Sequence, residues 1–177
     1  MTMLPIYNII ALPGAKLWLQ TNLYKELTDK TPVVGERVTL LAQKEAECRQ
    51  KGITLECMVD FSKADFIRYA DIVTLFSNML DNAMEAVLAL PAEQRSITVS
   101  AGAIGGQIIV KCINPYQGML RKRQDGLFST SKQNTALHGI GLSNLKRVIE
   151  SYQGVLRIDD QGGVFQVEWM IPVPVAG

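Results

Sequence analysis

Cysteine is scarce and unpaired in this sequence. Cys48, Cys57 and Cys112 are odd in number and lack the CxxC spacing of zinc or dithiol sites, which excludes a disulfide framework and the usual cysteine metal centres. They read as reduced thiols of a cytosolic protein. An excess of one charge is also missing. The net charge of +1 argues against a dedicated nucleic-acid partner, because such a domain normally gathers a basic excess on one face. Local phosphate binding stays open. Long apolar runs are absent too: the stretch from Leu4 to Leu12 is broken by Pro5 and Asn8, is too short to span a bilayer and lacks the charged start of a signal peptide. Neither GxGxxG nor GxxxxGK[ST] occurs, so the two commonest phosphate-loop fingerprints are excluded. No internal repeat is visible, and 177 residues suffice for one domain with a sizeable core and a short appendage.

What is present centres on Asp71 to Leu90. Ile72, Val73, Leu75, Phe76, Met79, Leu80, Ala83, Met84, Val87 and Leu88 cover almost the whole circumference of a helix, the pattern of one buried in a core. One stripe interrupts the cover. Asn78, Asp81, Asn82 and Glu85 recur at i, i+3, i+4 and i+7 and so share a face. Asn and Asp each cost up to about 0.7 kcal/mol relative to Ala in a helix, and buried amides need partners. The stripe suggests the polar floor of a cleft; it also fits an amphipathic helix with a narrow wet face.

Around that helix the periodicities predict a simple order. Residues 15–29 offer a helix on the spacing of Leu19, Leu23 and Leu27, and residues 36–51 a second one closed by Gly52. A strand is expected over 53–61, and Pro91 ends the central helix. Residues 96–103 and 106–113 form a hairpin about Ile104 and Gly105. Residues 114–138 show no sustained period and carry Arg121, Lys122, Arg123 and Lys132, as a lid would. A helix over 142–152 and a last hairpin, 155–160 with 164–171, complete the chain. Strands joined mainly as hairpins, with helices between them, predict an α+β fold: a two-layer sandwich whose mixed or antiparallel sheet has helices on one face.

The second informative stretch is FSTSKQNTALHGIGLSNL, residues 128–145. Gly139 and Gly141 are placed where a helix is expected to begin, so a ligand can approach free backbone N–H groups and the positive end of the helix dipole. Two glycines in a tight turn would look the same. Thr130, Ser131 and Lys132 add hydroxyls and a cation suited to phosphate oxygens, although this tripeptide alone is ordinary loop composition.

Taken in order, NMLDNAMEA, a hairpin, a long loop and HGIGLSNL resemble the ATP-binding domain of the GHKL superfamily, specifically that of sensor histidine kinases. The likeness is nearest to the peptide-pheromone (quorum-sensing) subgroup, in which a DNAxEA helix, Asn-Pro after the second hairpin strand, a TSK or TTK lid and HGxGL recur. It spans about Val38 to Ile171 and implies the same sandwich. It implies ATP and Mg²⁺ as cofactors, with Asn82 as the metal ligand. Asn78, Asp81, Asn114, Thr130, Ser131, Lys132, His138, Gly139, Gly141 and Leu142 are the implied nucleotide contacts.

Asn78 and Lys132 are the implied catalytic positions. Where the ATP-hydrolysing branches have Glu, Asn78 cannot take a proton. Transfer to histidine is therefore favoured over hydrolysis, since a neutral imidazole is already nucleophilic. Lys132 is the candidate for neutralising γ-phosphate charge.

Three departures stand out. The DxGxG box is replaced near Asn114-Pro115-Tyr116, which leaves Asn114 to meet adenine. Glu85 stands where many histidine kinases have Lys. The only histidine, His138, lies in the glycine box facing its own nucleotide, so it reads as a phosphate contact and not as the acceptor.

The resemblance thus implies a protein-histidine kinase catalytic domain over residues 36–177, incomplete without an acceptor. Residues 1–35 would be a connector or a remnant of a preceding helical region. Implied partners are a histidine-bearing dimerisation segment of the parent kinase and a downstream response regulator, in a cytoplasmic domain of a membrane-anchored homodimeric parent. The rival readings are an anti-sigma-type serine kinase and a nucleotide-gated interaction module with little catalysis.

Overall fold

The structure, a computed structural model, describes the backbone of residues 8–12, 15–19, 32–117, 120–122, 128–130 and 135–175, and the side chains of residues 39–117 and 141–175. Strands β1 (Asn8–Leu12) and β2 (Ala15–Leu19) precede helix α1 (Pro32–Gln50), strand β3 (Thr54–Val59) and helix α2 (Tyr69–Leu88). A 3-10 turn at Ala92–Gln94 leads to β4 (Ser96–Ile104) and β5 (Gln107–Pro115). Two short strands, β6 (Leu120–Lys122) and β7 (Phe128–Thr130), then helix α3 (Thr135–Ser151), β8 (Val155–Gln161) and β9 (Val164–Pro172) follow.

The principal sheet has seven strands in the order β1-β2-β3-β4-β5-β9-β8, and β6 pairs with β7 separately. β2, β3 and β4 are parallel neighbours, joined through α1 and α2; the other adjacent pairs are antiparallel. The sheet is therefore mixed, with helices on one face, the α+β sandwich that the patterning predicts. Alternation decides which side chains meet the helices. Leu55, Cys57 and Val59 of β3 are buried, whereas Thr54, Glu56 and Met58 face outward. On that outer face Glu168 joins two neighbouring strands, meeting Lys111 at 3.1 Å and Arg157 at 3.9 Å.

The core lies between sheet and helices. Phe76 of α2 sits edge-on to both Phe61, with ring centroids 5.5 Å apart, and Trp169, at 6.1 Å. All three are almost wholly buried, so truncating Phe76 to Ala would cost about 3–5 kcal/mol. The near-continuous apolar cover of α2 is explained by this position. Its N-terminus is tied to α3 by Asp71, whose Oδ2 accepts from Arg68 Nε at 2.8 Å and from the Tyr152 hydroxyl at 2.6 Å. Arg95 closes the far end, donating to the Leu90 and Leu88 carbonyls at 3.0 and 3.5 Å.

Three expectations need correction. Residues 15–19 are strand, not helix: in register, Leu17 and Leu19 fall opposite Cys57 and Val59, so the two-residue period of this segment prevails over the four-residue spacing of its leucines. Residues 20–29 of that predicted helix lie outside the described residues. The reversal between β4 and β5 is Gly105-Gly106, at φ +58° and +76°, one residue later than expected, because a two-residue hairpin of this hand needs both positions at positive φ. Finally, the expected lid contains the β6–β7 pair, and α3 begins at Thr135 instead of Leu142. Two glycines weaken a helix without ending it, and TALH in front of them continues it.

Candidate functional site

The stripe on α2 forms the floor. Asn78 donates its amide nitrogen to the Thr74 carbonyl at 2.7 Å, one turn back along its own helix. That bond fixes the amide and leaves Oδ1 facing α3. There it meets Gly141: a Cβ built on this glycine would lie 3.3 Å from Asn78 Oδ1, 3.3 Å from Asn82 Oδ1 and 3.4 Å from Asn82 Nδ2. Glycine lets the two helices approach where any larger residue would press on both amides. The tertiary fold thus brings together Asn78, Asn82 and Gly141, drawn from the two motifs that the sequence singled out.

Asn82 carries the energetic anomaly of the site. Its Nδ2 is buried and has no hydrogen-bond partner among the described residues. A buried amide group left unpaired costs about 1–3 kcal/mol, so its presence calls for a ligand or another reason. A side-chain amide suits a hard cation and phosphate oxygens: its oxygen coordinates and its nitrogen donates. Among the described residues no three His, Cys, Asp or Glu side chains cluster to hold a metal. The amide oxygen of Asn82 would suit a Mg²⁺ whose other ligands are waters and substrate phosphates.

The other predicted positions distribute around this floor. Asn114, at the end of β5, is 2% exposed, on the helix-covered side of the sheet with Val110 and Cys112. Its Nδ2 donates to the Pro115 carbonyl at 2.9 Å, which fixes the amide plane. Leu142 is buried beside Gly141 in sequence. Gly139 and Gly141 are the fifth and seventh residues of α3, inside its hydrogen-bonded body, so the free amides of that terminus fall in the first turn from Thr135. The expectation of a helix beginning at the glycine pair is corrected accordingly. Thr130 ends β7 opposite Leu120, and His138 lies in the first turns of α3, each described by its backbone. Ser131 and Lys132 lie outside the described residues.

Asp81 shares the stripe but is turned to α1. Its Oδ1 accepts from Lys44 Nζ at 2.6 Å. Burial lowers the Lys44 pKa, but hydrogen bonds and charge from Asp81 and Glu47 outweigh it and hold the ammonium above its ordinary value. The sequence does not single out Lys44, which stands in the helix expected over residues 36–51. A lone lysine on such a helix gives no signal until a partner from another element appears. The thiols take no part: burial raises Cys48 to about 11 and Cys112 to about 12, and pushes Cys57 up as well, so all three stay protonated.

Comparison with known proteins agrees with this fold. The family described as the GHKL domain matches residues 67–172, from the entry to α2 to the end of β9. None of the curated proteins matches the chain. Among solved structures, the nucleotide-free catalytic domain of histidine kinase ThkA superposes with a TM-score of 0.59 at 15% identity, covering 81% of this chain and 93% of that one. Full-length ShkA in complex with AMPPNP gives 0.58 at 17% identity, covering 80% and 30%. The mycobacterial sensor histidine kinase MprB gives 0.56 at 19%, covering 76% and 93%. At such identities the likeness is one of fold.

Proposed function

Because the chain belongs to the GHKL family, we propose that it is the Mg-ATP-binding catalytic domain of a sensor histidine kinase of the peptide-pheromone subgroup. The observation that carries this reading is the buried, unpartnered amide of Asn82 held against Gly141. Asn82 would hold Mg²⁺ through its amide oxygen, and the bound ion would offset the charge of the phosphates and polarise the γ-phosphoryl group.

Asn78 supplies no base, and its amide nitrogen is committed to Thr74. That suits transfer to a nucleophile that needs no deprotonation, such as a neutral imidazole. Asn114 would present its amide oxygen to the adenine amino group, its nitrogen being engaged with Pro115. Thr130, Ser131, Lys132, His138, Gly139 and Leu142 complete the phosphate end, with Lys132 neutralising charge on the γ-phosphate. The catalytic domain runs over residues 36–177, and β1 and β2 extend its sheet at one edge. The acceptor histidine comes from a dimerisation segment of a membrane-anchored parent, and a response regulator receives the phosphoryl group.

Calorimetry with AMPPNP in the presence and absence of Mg²⁺, on wild type and Asn82→Ala, tests this reading. Metal-dependent binding that the substitution abolishes is expected; unchanged affinity would remove the metal assignment. Supplied with an acceptor hairpin and ATP, the domain should label the hairpin with acid-labile phosphate and leave itself unlabelled. Acid-stable label on a serine would favour the serine-kinase alternative.

A further inference from the structure

Lys44 stands on α1, outside the motifs that mark the family, yet it reaches the polar stripe of α2. Its Nζ donates to Asp81 Oδ1 at 2.6 Å and to Glu47 Oε2 at 3.2 Å. Glu47 also accepts from Lys51 Nζ on its other oxygen, at 2.6 Å. The charges alternate along Lys51, Glu47, Lys44 and Asp81, and Glu47 is shared between two lysines. The Lys44 side chain is 15% exposed and that of Asp81 56%, so the lysine is held in place and the carboxylate is brought to it. Asp81 follows Asn78 by three residues, one turn along the helix, and immediately precedes Asn82, so its carboxylate borders the face that carries the two amides. A free carboxylate there would act twice against a nucleotide site. It would repel the phosphates, and as a harder, charged oxygen donor it would compete with a neutral amide for a divalent cation.

We propose that Lys44 is a positioning residue that masks Asp81, holding its carboxylate toward α1 so that the metal and phosphates meet the uncharged amides of Asn78 and Asn82. The inference rests on the nucleotide reading above and assigns a task to Lys44, which lies outside the family's motifs, toward Asp81, which lies within one. A masked carboxylate and a mechanical clamp make opposite forecasts. If the pair only braced α1 against α2, removing either partner would loosen the site alike, and removing both would not help. If Lys44 masks a charge, removing the lysine exposes that charge, and removing the carboxylate as well cures the defect.

The test is calorimetry of Mg–AMPPNP binding to the whole 177-residue chain as wild type, Lys44→Met, Lys44→Arg, Asp81→Asn and the Lys44→Met/Asp81→Asn double variant. Lys44→Met is expected to weaken binding about tenfold, the scale on which one unpaired charge bordering a partly solvated site acts. The double variant should recover most of that loss, and Lys44→Arg should keep wild-type affinity. Without nucleotide, Lys44→Met should also bind Mn²⁺ more tightly than wild type, as read by electron paramagnetic resonance. Wild-type affinity in Lys44→Met, or a double variant as weak as that single one, would overturn the proposal. Should Lys44→Met fail to fold, Asp81→Asn decides alone: masking forecasts binding that tightens, and a tenfold loss overturns it. A wild-type chain that binds no Mg–AMPPNP would instead sink the nucleotide reading itself.

Discussion

Gly141 of α3 faces Asn82 of α2 at a distance that leaves little room for a side chain: a Cβ on the glycine would stand 3.3 Å from the amide oxygen and 3.4 Å from the amide nitrogen. This contact joins the glycine-rich stretch to the polar stripe of α2, and it predicts a substitution that separates stability from binding. Gly141→Ala adds a methyl that the amides must yield to by a few tenths of an ångström, while Ala favours the helix by about 1 kcal/mol over Gly. The thermal midpoint without nucleotide should stay level or rise. AMPPNP affinity should fall by about an order of magnitude if, as proposed, the displaced amides are those that meet the metal and phosphates. Thermal melts with and without Mg–AMPPNP check both halves.

Asn82→Leu should make a more stable, non-binding protein. The substitution replaces a buried nitrogen without a partner by a hydrocarbon of similar size, which removes a desolvation cost of about 1–3 kcal/mol. Urea denaturation should show a gain of about 1 kcal/mol without nucleotide, and calorimetry should show no Mg-dependent heat. A loss of stability above about 1 kcal/mol would mean that the amide is satisfied in solution.

Acid should loosen the junction between α2 and α3. Burial raises the Asp71 pKa, but hydrogen bonds from Arg68 and Tyr152 outweigh it, so the folded-state value lies below the ordinary carboxylate range. A depressed folded pKa contributes stability that is present above the unfolded value, near 4, and is lost as pH falls through the folded one. Tyr152→Phe removes the 2.6 Å bond to Asp71 and should cost about 1–2 kcal/mol at pH 7. The difference between wild type and variant should shrink below about pH 4, as read by chemical denaturation across pH.

Gln153→Gly should stabilise the chain. Gln153 takes φ 58° just after α3 ends at Ser151, the left-handed position that glycine normally fills. Relieving the Cβ strain, less the entropy that glycine loses on folding, should yield about 0.5–1 kcal/mol. Nucleotide affinity should not change, since this turn lies at the opposite end of α3 from Gly141. A rise of about 1–4 °C in the melting midpoint is the expected reading.

Much of the architecture was legible because burial on one side of a sheet writes itself into local pattern. The alternation of Leu55, Cys57 and Val59, the two glycine-marked hairpins and the apolar cover of α2 each report a neighbour without naming it. The stripe from Asn78 to Glu85 was equally visible, because four polar residues in a buried helix are costly and therefore conspicuous. Less legible were segments in which two periods compete. Residues 15–19 satisfy both a strand and a helix, and only the parallel register with β3 decides between them. The glycines of α3 signal a helix start, yet the sequence before them continues the helix, and α3 packs on α2 with Gly141 as the point of approach.

The sequence by itself determined the sandwich and the residues whose chemistry suits a nucleotide, because periodicity and residue type are local properties. Only the tertiary structure decided which of them meet. It set Gly141 opposite Asn78 and Asn82, left the Asn82 amide nitrogen without a partner among the described residues, and turned Asp81 away to Lys44, thirty-seven positions earlier. Helix spacing places side chains on a face, but the charge they present depends on what another element brings to that face, and a pair so far apart in sequence leaves no periodic trace.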